Sequence, residues 1–130
     1  MYALDTNSVI HFFKGRGRIA DRLAGTPPAD VRLPAVVLYE LEVGIARSTA
    51  PQRLRSQLAE LLAVVDLLPF GPEEARKSAG IRARLERAGI PIDPLDTLIA
   101  GTAVAHGATL VTHNTREFQR IEGLEIDDWY

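Results

Sequence analysis

Short apolar runs that alternate with helix-length amphipathic segments leave this chain few folds to choose from. Tyr2 to Leu4 reads as a buried strand, and Asp5-Thr6-Asn7-Ser8 supplies capping residues before Val9 to Lys14 continues as helix. Ile19 to Leu23 is a second short helical piece, and Val31 to Leu33 a strand ending at Pro34. Helices are expected over Ala35 to Arg47 and over Gln52 to Val64, where leucines at 54, 58, 61 and 62 share a face. Val65 to Phe70 is a strand candidate ahead of the Gly71-Pro72 break. Pro72-Glu73-Glu74 opens a helix that stops at Gly89, and Asp93-Pro94 opens another that runs through Ala105 to a Gly107 cap. Thr109 to Thr112 is a strong buried strand, and Leu124 to Ile126 a weaker last one. Strands separated by helices imply a three-layer α/β/α sandwich with a central, mostly parallel sheet. A length of 130 residues suits one domain spanning residues 1–130. In such sheets ligands collect beyond the carboxyl ends of the strands, which points at Asp5 and at His113-Asn114.

Charge narrows the chemistry. Fifteen Lys and Arg against seventeen Asp and Glu give a formal charge of −2, so any nucleic acid must be held by a local patch and not by the overall field. The absence of cysteine excludes disulfide frameworks, zinc–thiolate sites and thiol catalysis. No apolar run approaches the roughly 20 residues that span a bilayer, and the start of the chain shows no basic, apolar export signal. A cytoplasmic protein with no membrane partner is the expectation.

Some carboxylates occupy positions where an acid is costly. Asp5 directly follows an apolar strand. A helix cap would explain it, but Thr6, Asn7 or Ser8 would cap equally well. Asp96 heads a helical stripe of Ile99, Ala100 and Ala103, where an unpaired charge is expensive, although a first-turn acid also suits the helix dipole. Glu40 and Glu42 both lie in a helix that is apolar nearly all round, and periodicity does not choose between them. Asp93 reads as a cap, Asn114 as a turn residue, and Glu117 as a surface acid in a short helical turn. Converging carboxylates repel one another unless a cation lies between them. Oxygen-only ligands suit Mg²⁺ or Mn²⁺ over zinc, and such sites orient and deprotonate water for attack on a phosphodiester.

Four segments together carry a specific pattern: Leu4-Asp5-Thr6-Asn7; Tyr39-Glu40-Leu41 with Gly44; Asp96-Thr97-Leu98-Ile99-Ala100 with Ala103 and Gly107; and Leu110 to Phe118 with Gly123-Leu124 and Asp128-Trp129. In order and spacing, nearly end to end, the chain resembles the PIN-domain family and its VapC-type toxins of bacterial toxin–antitoxin pairs. The resemblance implies a PIN-like fold and an endoribonuclease that inhibits translation by cleaving RNA, with Asp5, Glu40 and Asp96 holding Mg²⁺ or Mn²⁺. It selects Glu40 over Glu42. The fourth catalytic position falls to Asn114 or to Glu117 three residues on, and Thr6, Asn7 and Asp93 are secondary candidates. It further implies a homodimer and a VapB-type antitoxin laid across the active-site groove, with operator DNA reached only through that antitoxin.

Thirteen of the fifteen basic residues are Arg, which favours bidentate phosphate contact. Arg16 and Arg18, in a Gly-containing loop on the Asp5 side, and Arg116, in the fourth segment, are the candidates for RNA phosphate. Arg82, Arg84 and Arg87 fit the dipole of their helix end instead. Trp129 and Tyr130 are expected to anchor the last strand, and His113 to be a non-catalytic neighbour. Two competing classes are a phosphoryl-transfer enzyme of the haloacid-dehalogenase type and a non-enzymatic α/β interaction module. The first needs an Asp two residues after Asp5, where Asn7 stands, and a lysine later than Lys77.

Overall fold

The computed structural model describes residues 1–130. Five strands, β1 (Tyr2–Leu4), β2 (Val31–Pro34), β3 (Asp66–Leu68), β4 (Thr109–Val111) and β5 (Ile126–Asp127), form one sheet in the order β3-β2-β1-β4-β5. Every pairing is parallel, with Ala3 opposite Arg32 and Leu110, Leu33 opposite Leu67, and Val111 opposite Asp127. Seven helices flank it: α1 (Thr6–Phe13), α2 (Ile19–Ala24), α3 (Ala35–Ala46), α4 (Pro51–Leu62), α5 (Pro72–Arg87), α6 (Pro94–Ala105) and α7 (Thr115–Phe118). Successive strand residues point to opposite faces. Ala3 with Leu4, and Leu110 with Val111, are all at most 1% exposed, so both faces are covered. The expected three-layer sandwich is present, and its sheet is wholly parallel.

Element ends differ from the sequence expectation for local reasons. Helix α1 starts at Thr6 and not Val9, because Asp5 caps it through the Ser8 amide. The edge strands β3 and β5 are shorter than the apolar runs that announce them. Leu124 stays out of the ladder because Gly123, at φ +83°, turns the chain and the Leu124 amide bonds back to Ile121. Trp129 does anchor the sheet: it is buried against Tyr2, beneath the Arg22 guanidinium, and its indole N–H donates to Asp127 at 3.0 Å.

Helices α5 and α6 approach closely because residue 101 is glycine. A Cβ there would lie 2.7 Å from both the amide nitrogen and the Cα of Ser78. Thr97, Ile99, Ala100, Gly101, Thr102 and Ala103 of α6 are buried, and the helix carries Asp96 in its first turn at the edge of that apolar body.

Candidate active site

The sheet order fixes where a cleft must open. From β1 the chain moves to β2 on one side, while β4 lies on the other, so the connections diverge beyond the carboxyl ends of β1 and β4. Asp5 is the first residue past β1. It is 4% exposed, its amide extends the ladder to the Val111 carbonyl, and its Oδ1 accepts the Ser8 amide at 2.8 Å. Ser8 in turn donates its hydroxyl to Val111 O, tying the start of α1 to β4. Thr6, on the next position, donates its hydroxyl to Glu40 Oε1 at 2.7 Å and so links α1 to α3.

Past β4, the Asn114 amide donates to Thr112 Oγ1, and its side-chain Nδ2 donates to Glu117 Oε2 at 3.0 Å. A carboxylate only accepts, so the NH₂ end of Asn114 must face Glu117. Asp96 completes the group from α6. Burial comes first in pushing its carboxyl up to about 7, followed by the negative charges of Asp93, Glu40, Asp5 and Glu117. Five acids from four parts of the chain therefore lie close enough to act on one another, and the mutual repulsion is concentrated on Asp96. Asp93 also caps α6, its Oδ1 accepting the Leu95 amide at 2.9 Å.

No three acidic or histidine side chains close on a single point tightly enough to cage an ion. The donor set is oxygen-only and loosely gathered, which suits a hard cation that keeps several waters and takes one or two carboxylates directly. Alongside Glu40 runs a groove of about 600 Å³ between α1, α3 and α4. Its floor includes Phe13, Leu41 and Leu54, and Lys14, Arg16 and Arg53 give it basic walls.

The model of the PIN domain matches residues 2–124. The chain belongs to the PIN-domain family, among its VapC-type ribonuclease toxins. It is 33% identical over 128 residues to the tRNA(fMet)-specific endonuclease VapC of Salmonella typhimurium, covering 98% of this chain and 97% of that one. Ribonuclease VapC2 of Haemophilus influenzae is 30% identical over the same shares. Among solved structures, VapBC2 of Rickettsia felis bound to a promoter DNA fragment superposes with a TM-score of 0.93 at 30% identity, over 99% of this chain and 98% of that one. DNA-bound VapBC of Salmonella typhimurium gives 0.92 at 34% identity, with the same coverage.

Within this PIN domain, Asp5, Glu40, Asp96, Asn114, Glu117 and Asp93 come together, whereas Glu42 turns away to pair with Arg55 of α4 at 3.1 Å. Thr6 reaches Glu40 and not Asp5, and Asn7 is exposed. Arg16, Arg18 and Arg116 are exposed, and Arg16 lines the groove. Arg82 and Arg84 pair with Glu86 and Glu122 at the surface. Sequence reasoning missed Ser8, whose backbone pins Asp5. The signal was the three-residue spacing from an N-cap Asp to the amide it accepts.

Proposed function

We propose that this VapC-type protein is a Mg²⁺- or Mn²⁺-dependent endoribonuclease whose cleft hydrolyses an RNA phosphodiester. The observation that carries this reading is Asp96, raised to about 7 by burial and four neighbouring carboxylates. Such an arrangement costs stability unless a cation occupies the cleft. Asp5, Glu40 and Asp96 would hold the ion, partly through water, with Glu117 supplying the fourth charge. A divalent ion there would neutralise the carboxylates, lower the pKa of water and offset charge on the phosphate. The chain's own contribution is positioning. Ser8 fixes Asp5, Thr6 fixes Glu40, Asn114 fixes Glu117, and the capped first turn of α6 fixes Asp96. Asn114 thus serves as a positioning residue. Arg16, Arg18 and Arg116 are the candidates for holding RNA phosphates beside the acids.

The substrate class we favour is transfer RNA, on the strength of the tRNA(fMet)-specific relatives in Salmonella typhimurium and Shigella flexneri. The groove beside Glu40, apolar in its floor and basic in its walls, suits the C-terminal segment of a VapB-type antitoxin. The VapBC complexes of similar structure support that pairing. A homodimer, operator DNA contact through the antitoxin, a single domain and a cytoplasmic location belong to the same reading. No helix is long and apolar enough to cross a membrane.

The test is incubation of the purified protein with an initiator tRNA transcript in Mg²⁺ or in EDTA, with fragments resolved on a gel. Discrete fragments in Mg²⁺ alone, lost in Asp5→Asn, are expected. Equal cleavage by Asp5→Asn would overturn the site assignment.

A further inference from the structure

Two neighbouring aromatic residues at the end of the chain's last strand point opposite ways. Trp129 is 2% exposed in the core, whereas Tyr130, expected to be a second anchor, is 43% exposed. Its ring stacks on the imidazole of His113, with centroids 4.3 Å apart and planes 21° from parallel. His11 meets Tyr130 edge-on at 4.9 Å. Asp128 builds the stack: one carboxylate oxygen accepts the Tyr130 amide at 3.0 Å and the other lies 2.9 Å from His113 Nδ1. From α1's trailing loop, Gly17 lies so close that a Cβ would stand 2.9 Å from Tyr130 Cα, and the Arg18 amide donates to the Tyr130 carbonyl.

The stack stands beside the acids. Strands β1, β4 and β5 end side by side, so Asp5, His113-Asn114 and Asp128-Tyr130 follow one another along the same edge. The His11 ring also lies edge-on to His113, with centroids 6.2 Å apart, and burial, joined by the charges of His113 and Arg16, holds its imidazole below the ordinary range against the pull of Asp5. Packing alone gives no reason for this construction. The His113 side chain is 51% exposed, so little apolar surface is gained by stacking it. His11 Nδ1 is buried with no hydrogen-bond partner, a cost that Phe would avoid.

We infer that the Tyr130–His113 stack is a nucleobase platform, on which an unpaired base flanking the scissile phosphate continues the stack. This rests on the endoribonuclease reading above and adds a subsite to it. Aromatic faces accept any base, so the platform supplies affinity and register more than sequence choice. It also requires a base free of a duplex, which favours loops over paired stems.

The probe is a ten-nucleotide single-stranded RNA carrying one 2-aminopurine, whose fluorescence falls when the base stacks, titrated into the full chain with Ca²⁺ in place of Mg²⁺. Tyr130→Ala should weaken binding about tenfold and abolish the quenching, the scale of losing one base–aromatic stack, while Tyr130→Phe binds like the parent. His113→Ala, on the surface and clear of the Gly17 contact, should weaken binding with an unchanged melting temperature. Unaltered binding by His113→Ala and Tyr130→Ala would overturn the platform. So would equal loss in Tyr130→Phe, which would make the hydroxyl the contact. Weakened capture of an antitoxin peptide with RNA binding intact would likewise overturn it, assigning the stack to protein. A parent protein that quenches the probe yet cleaves no RNA in Mg²⁺ would defeat the nuclease reading and leave the platform standing.

Discussion

Asp96 shows how a single side chain reports on its surroundings. Its carboxyl titrates near 7 in the fold and near 3.8 in the open chain. The folded state therefore keeps a proton that the unfolded chain has lost, and this group's contribution to stability disappears as pH rises from about 4 to about 7. Asp96→Asn removes the penalty. Its metal-free melting temperature should exceed the parent's at pH 8 and equal it at pH 4, as scanning calorimetry in EDTA would measure, while its RNA cleavage is lost. The Thr6 hydroxyl is a smaller device with a separable effect. Thr6→Val leaves the fold intact but frees Glu40. Cleavage rates for that variant should fall about 10- to 100-fold, the usual cost of removing a partner that orients a ligand, with little change in melting temperature. Periodicity singles out Asp96, because it heads the apolar stripe of Ile99, Ala100 and Ala103, although a first-turn acid also suits the helix dipole. It was silent on Glu40 against Glu42, since α3 is apolar nearly all round and only the tertiary neighbours, Thr6 for one and Arg55 for the other, tell them apart.

Helices and strands position these groups through their ends. Asp5, Asp93 and Asn114 all occupy N-cap positions, and the acids of α6 and α7 lie in first turns, where the positive dipole end favours a carboxylate. Strong punctuation made these elements readable: Pro94 and Gly107 bracket α6, and its observed span matches the expected one. What punctuation does not encode is pairing. Parallel order depends on which buried faces meet across a crossover, so the placing of β1 between β2 and β4 came only from the structure, although the strand-end rule already pointed at Asp5 and His113-Asn114. The α5–α6 contact is equally invisible locally, because Gly101 looks like a weak helix residue until Ser78 is seen against it. Gly101→Ala should destabilise the protein by about 1–3 kcal/mol or more through overpacking, read as a lower urea midpoint, and Ser78→Gly in the same chain should recover part of the loss.

Taken whole, the molecule carries a slight excess of acid, and much of that excess is spent at one edge of the sheet. On the proposed reading, a cation would link fold, pH and activity. Protons would then compete with metal for Asp96, so stabilisation by Mg²⁺ should be small at pH 5.5 and grow towards pH 8, as melting curves with and without the ion would show. Of the candidates for RNA phosphate, Arg16 lines the groove that also holds Glu40, while Arg82 and Arg84 are occupied by surface partners and lie outside that set. A slightly acidic overall charge and a nucleic-acid substrate are thereby compatible. The central claim, that Asp5 past β1, Glu40 in the middle of α3 and Asp96 in the first turn of α6 hold a divalent ion, is tested most directly by electron paramagnetic resonance of free Mn²⁺ titrated with protein at pH 7.5. The parent and Glu42→Gln should deplete the free-ion signal alike, while Asp5→Asn and Asp96→Asn leave it almost unchanged. Equal depletion by the parent and by both Asp variants would contradict the account.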